Sequence, residues 1–291
     1  MSPPTVQRLA GFGLTAGDAR RLSEFYQAAF DCRLLNTDRL EGAAFETLMA
    51  ARGGAHRITL GLGQQTIEIL QFDTPGRPYV KPLSPIENSF QHFALVVSDM
   101  DSAWRRLTTL PGWTAMTTGG PQRLPPRSGN VTAFKFRDPE GHPLELLEFP
   151  ADSRPAYWSS LPSGLFLGID HSALSVADVE ASIDFYGRLG LRVAARTLNH
   201  GPEQERLDGI VDPRVDVVAL EPPTATPHVE LLHYRTTQPR HPVTFHSNDL
   251  AATRLVMRTV RAVDEQTQGS LLRDPDGHLI ELRSASLKGW Q

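Results

Sequence analysis

Apolar and polar residues alternate along the stretch from Leu167 to Val176, and the spacing then becomes helical. In the first half Ile169, His171, Ala173 and Ser175 fall on one face of an extended segment, with Leu174 and Val176 on the other. Asp178 follows as a helix N-cap, its carboxylate placed to accept a free backbone N–H. Val179, Ile183, Tyr186 and Leu189 recur as one buried stripe, and Gly190 ends it. The pattern predicts a strand, a capped helix and further strands, with a histidine on one face of the first strand.

The same pattern occurs three more times. Residues 13–18 lead into a helix holding Phe25 and Tyr26. Residues 92–99 lead into Met100, Trp104 and Leu107, and residues 243–249 lead into Leu250, Leu255 and Val260. The four capping aspartates, Asp18, Asp99, Asp178 and Asp249, are 81, 79 and 71 residues apart. That period is too long for a solenoid unit and fits a small strand–helix–strands module used four times. The modules are expected at 6–73, 89–150, 166–235 and 240–285. They form an N-terminal domain (1–150) and a C-terminal domain (166–291), joined by a Pro- and Ser-containing linker (151–165) that Tyr157 and Trp158 pack down.

Bulk properties narrow the function classes. The 291 residues suggest about two domains. A net charge of −4 gives no polyanion-binding footprint, so nucleic acid is not an expected partner. No apolar stretch reaches membrane-spanning length, and Met-Ser-Pro-Pro opens no secretion signal. The single cysteine, Cys32, allows no intrachain disulfide and reads as a small buried thiol, so the expected location is cytoplasmic.

Two positions carry the candidate chemistry. On the first strand, seven residues before the capping aspartate, stand Gly11, His92, His171 and Pro242. On the last strand stand Glu68, Glu145, Glu230 and Glu281, each between apolar neighbours. Taken singly, each would read as a hydrogen-bonded or solvent-facing side chain. Four glutamates at one position of four modules point elsewhere, because Glu is seldom buried unless paired or bound to metal. An inward Glu on one strand and an inward His on another supply oxygen and nitrogen ligands to a divalent cation. Two polar loops offer substrate contacts: 117–130, with Arg123 and Arg127, and 199–208, with His200, Glu203 and Gln204.

With Asp138-Pro139-Glu140-Gly141 ahead of Glu145, Asp274-Pro275-Asp276-Gly277 ahead of Glu281, and the first-strand histidines, the chain resembles the vicinal oxygen chelate superfamily. That family includes glyoxalase I, type I extradiol dioxygenases, fosfomycin-resistance proteins and bleomycin-binding proteins. The resemblance implies an α+β fold: four βαβββ modules forming two domains of curved mixed sheets, with helices outside. It also implies that modules pair around a metal.

If each half pairs its own modules, each site lacks one ligand. If pairing is crossed, as in glyoxalase I-like members, modules two and three offer His92, Glu145, His171 and Glu230 together. Modules one and four then keep Gly11, Glu68, Pro242 and Glu281. Crossed pairing puts both losses in one site and is the expectation here. A competing set is His171, His241 and Glu281, a two-His-one-carboxylate face of the non-haem Fe(II) kind.

The implied activity is that of a metal-dependent lyase or isomerase of glyoxalase type. The cation (Ni, Co, Zn, Mn or Fe) acts as a Lewis acid on a small-molecule substrate chelated through vicinal oxygens, and Glu145 or Glu230 moves the proton. The alternatives are Fe(II)-dependent extradiol ring cleavage and metal-free ligand binding of the bleomycin-resistance type. A homodimer is left open.

Overall fold

The computed structural model describes residues 5–236, 244–260 and 269–284. Module one comprises β1 (Val6–Thr15), α1 (Ala19–Phe30), β2 (Arg33–Leu40), α2 (Ala43–Met49), β3 (Ala55–Leu62) and β4 (Gln65–Phe72). Module two comprises β5 (Gln91–Val97), α3 (Met100–Thr108), the short β6 (Thr114–Ala115) and β7 (Gln122–Arg123), β8 (Thr132–Arg137) and β9 (Pro143–Glu148). The short α4 (Ala156–Ser159) lies in the linker. Module three comprises β10 (Phe166–Ser175), α5 (Val179–Arg188), β11 (Arg192–His200), α6 (Pro202–Asp208), β12 (Arg214–Glu221) and β13 (His228–Tyr234). Module four contributes β14 (Arg254–Thr259), β15 (Gly269–Arg273) and β16 (Leu279–Ser284).

Three of the four predicted caps are present. The carboxylates of Asp18, Asp99 and Asp178 accept the backbone N–H of Arg21, Ser102 and Ala181 at the starts of α1, α3 and α5. The fourth is corrected. Asp249 lies in a turn, where it takes the Arg77 guanidinium and the backbone N–H groups of Arg77 and His246. The run read as a helix, Leu250 to Val260, holds strand β14 instead. Leu255, Val256 and Met257 are all buried, and the strand is paired on both edges, antiparallel to β1 and parallel to β16. A segment buried on both faces between two strands needs no 3.6-residue stripe. His241 and Pro242 lie outside the described residues.

The sheets pair in the crossed manner. One runs β15-β16-β14-β1-β4-β3-β2 and unites modules one and four. The other runs β11-β12-β13-β10-β5-β9-β8-β6 and unites modules two and three. One face of each sheet turns into a common core with α1, α3 and α5. There Phe12 of β1 stacks on Phe93 of β5 with ring centroids 4.7 Å apart. Cys32 belongs to this core, and burial pushes its thiol up to about 12.

The Asp-Pro-x-Gly turns fasten the modules together. Asp138 accepts the backbone N–H groups of Glu140 and His142 and the hydroxyl of Tyr26. The His142 ring bridges Asp138 and the carbonyl of Thr15. Asp274, Tyr186 and His278 repeat the device at the other end. Among the described residues no helix is long and apolar enough to cross a membrane.

Candidate metal centre

The site lies on the seam between β5 and β10. In this antiparallel ladder His92 faces Ala173 and His171 faces Ala94. The parallel neighbours then place Glu145 beside Ala94 and Glu230 beside Ala173. Glu145 thus stands between the two imidazoles, and Glu230 stands beside that of His171. A bulge at Asp170 interrupts the alternation of β10. It corrects one sequence expectation: Ile169 faces the common core, not the side of His171 and Ala173.

Three of the four predicted ligands converge, and the fourth, Glu230, stands beside one of them. His92 Nε2 lies 3.0 Å from Glu145 Oε2, and His171 Nε2 lies 3.5 Å from the same oxygen. His171 Nε2 is 3.6 Å from Glu230 Oε2. Bonds of about 2.0–2.2 Å to a common ion would separate neighbouring ligand atoms by about 3.0–3.5 Å, so His92, Glu145 and His171 fit a divalent cation with little adjustment, and Glu230 would have to swing in to join them. Donors of mixed nitrogen and oxygen type do not choose among Ni, Co, Zn, Mn and Fe.

The electrostatics favour positive charge here. Burial alone would raise the Glu145 carboxyl, but the Lys135 ammonium and the hydrogen bonds of His171 and His92 outweigh it and hold it well below the ordinary range. Burial also opposes ionisation of Glu230, yet the charge on His171 and the hydrogen bond of His228 bring it to about 2. Burial lowers His92. For His171 burial is outweighed by the charge of Glu230 and by hydrogen bonds to Asp170 and Glu145, which hold it well above the usual value.

Residues that sequence reasoning passed over support this set. Asp170 Oδ2 lies 3.0 Å from His171 Nδ1, the ring nitrogen facing away from the ligand atoms, and Trp158 Nε1 donates to Asp170 Oδ1 at 3.1 Å. Such an outer carboxylate fixes a ligating imidazole's tautomer and orientation. His228, set aside from sequence, lies 3.6 Å from Glu230 Oε1. Its spacing of two residues from Glu230 on one strand was the available signal. Lys135, directly across from Glu145 in the β8–β9 ladder, donates to Asp208 at 2.7 Å. Gln204 and the Tyr234 hydroxyl donate to the same carboxylate. A lysine between Phe134 and Phe136 was its only mark in the sequence.

The four ligands line a cavity of about 560 Å³. Of the predicted substrate contacts, Arg127 and Gln204 line it as well. His200 and Glu203 do not. The 199–208 run folds partly into α6, and His200 meets the cavity's rim only through its carbonyl, which accepts from Arg127. Arg123 is exposed on β7 and borders a separate depression with Asn130 and Glu148. The competing set is not assembled among the described residues, since crossed pairing puts Glu281 in the other sheet, bound to Arg283, and His241 lies outside them.

The sequence profile of the Glyoxalase/Bleomycin resistance protein/Dioxygenase superfamily matches residues 8–146 and 168–282, and the chain belongs to that superfamily. A crystallised mutant of glyoxalase I from Zea mays is similar at 20% identity and a TM-score of 0.57, over 95% of this chain and 93% of that one. Glyoxalase I from Zea mays itself gives 19% and 0.56, over 94% and 91%. A "putative dioxygenase" from Bacillus subtilis subsp. subtilis str. 168 gives 12% and 0.56, over 98% and 87%. At these identities the likeness speaks for the fold alone. No curated protein matches the chain by sequence.

Proposed function

We propose that the chain is a metal-dependent enzyme of glyoxalase type, acting at the seam of modules two and three. The observation that carries this reading is the meeting of His92, Glu145 and His171 on the wall of one cavity, with ligand atoms within 4.8 Å of one another, and with Glu230 on the same wall 3.6 Å from His171 Nε2. A divalent cation held there supplies Lewis acidity toward two adjacent substrate oxygens.

The protein's own groups divide the remaining work. Glu145 is pinned by two imidazoles and stands across from Lys135, which suits it to a fixed ligand. Glu230 is the looser carboxylate, with a side chain 24% exposed against 7% for Glu145. It removes the proton beside the substrate carbonyl and returns it to the neighbouring carbon. His228 steadies its second oxygen. Tyr157 and Trp158 of the linker line the cavity too and limit the water reaching it.

Metal analysis of purified protein tests the reading. About one equivalent of divalent metal is expected, lost in His92→Ala; a protein that takes up no metal refutes it. A second reading is extradiol ring cleavage, favoured by the two-imidazole, one-carboxylate trio of His92, Glu145 and His171, whose ligand atoms lie within 4.8 Å of one another. Oxygen uptake and a yellow product from catechol with Fe(II) would establish it in place of the first.

A further inference from the structure

The cavity wall speaks to the substrate. Beyond the ligands and a set of polar groups that includes Ser128, Asn199 and Gln204, it offers apolar surface on both sides of the seam. Leu124, Val131 and Leu147 come from module two, and Val215, Val217 and Leu232 from module three. These groups belong to two separate hydrophobic clusters that meet across the cavity. At its edge the ring of Tyr157 packs against Trp158, centroids 4.8 Å apart.

Fixed positive charge is scarce. Only Lys135 and Arg127 among the lining residues carry it. Lys135 is buried and committed to Asp208 at 2.7 Å. Arg127 is exposed, with its guanidinium turned to the His200 carbonyl. Four carboxylates also line the cavity: Glu145, Asp170, Glu221 and Glu230. An anionic substrate tail reaching the interior would lose its water among four carboxylates and one ammonium already paired with Asp208, and would find an uncommitted cation only at the exposed rim, in Arg127. An apolar body gains from the same walls.

We infer that the substrate is a neutral molecule in which two adjacent oxygens are attached to an apolar body at least the size of an aromatic ring, and not a multiply charged thiol adduct such as one of glutathione, with its two carboxylates and one ammonium. The inference rests on the metal-site reading above and narrows it.

Three hydroxamates, each presenting the same pair of vicinal oxygens, test it by binding alone. Cobalt(II)-loaded protein is titrated with acetohydroxamate, benzohydroxamate and a hydroxamate carried on the sulfur of glutathione, following the visible cobalt spectrum. Benzohydroxamate is expected to bind at least about tenfold tighter than acetohydroxamate, as burial of a ring on apolar walls requires. The glutathione-borne probe is expected to bind no tighter than acetohydroxamate. Tyr157→Ala, a change on the short linker helix, is expected to shrink the benzohydroxamate advantage. Spectral changes with equal affinities, or with the glutathione-borne probe tightest, overturn the substrate class and leave the metal site standing. Failure to retain cobalt overturns the metal reading and this inference with it.

Discussion

The two seams of the molecule are built alike and differ in what faces their carboxylates. The ladders match position for position: Arg254 faces Gly13 where His92 faces Ala173, and Gly11 stands where His171 does. Glu68 and Glu281 stand where Glu230 and Glu145 do. The sequence expectation of Pro242 at the fourth position is therefore corrected to Arg254. Both seams keep their carboxylate pair, and a buried carboxylate pair needs a counter-charge.

At the outer seam the chain supplies it. The Arg283 guanidinium reaches Glu68 through both terminal nitrogens, at 2.5 and 2.8 Å, and Glu281 through Nε at 2.6 Å. Arg57 and the fully buried Arg254 add charge nearby. Burial opposes the charge on both partners, but Arg283 holds Glu68 below its usual value, and the two glutamates hold Arg283 well above its own. Gly13 makes room for this, since a Cβ there would come within 2.9 Å of Arg254 Nε. The inner seam presents the imidazoles of His92 and His171 instead. One seam is thus closed by its own guanidinium, and the other keeps two imidazoles beside its carboxylates on a cavity wall.

Variants can break this contrast. The largest effect is expected for Arg283→Met, which strands two buried carboxylates. It should cost about 3–5 kcal/mol in urea denaturation while metal stoichiometry stays unchanged. If metal were lost as well, the seams would not be independent. His171→Ala should lower metal affinity by about 100-fold or more in calorimetric titration, and should also destabilise the metal-free protein, because three carboxylates lose the imidazole they share. Asp170→Asn, which keeps the shape but weakens the hold on His171, should lower metal affinity about tenfold by the same measurement.

The smallest effect touches neither seam. Burial pushes His142 down, but Asp138 outweighs it and raises it above the usual imidazole value. Its stabilisation is therefore fully present below about pH 6.5 and lost as pH rises through the raised folded value. The difference in urea midpoint between wild type and His142→Gln should narrow as pH climbs.

The recurring cap aspartates and the glutamate quartet made most of the architecture readable, because both depend on local spacing. Crossed pairing followed from where the two missing histidines fall. The fourth module's first strand was not readable. Leu250, Leu255 and Val260 suggested a helix, and only pairing with β1 and β16 shows that residues 254–259 are extended. Asp170, Lys135 and Asp208 join the site through a bulge and through contacts 73 residues apart in the chain, which no local pattern records. Arg123, His200 and Glu203 were chosen for polarity alone, and polarity does not say which way a loop turns.

Crossed pairing also has a consequence for the polypeptide as a whole. Strand β1 has its neighbours in β4 and β14, and β10 has its own in β13 and β5, so each sheet draws on both sides of the linker. Cleavage between residues 151 and 165 would leave two fragments, each with two raw sheet edges and neither with a whole ligand set. The halves are interlocked like clasped hands, and co-expression of the two pieces is the way to restore what severing the connector removes.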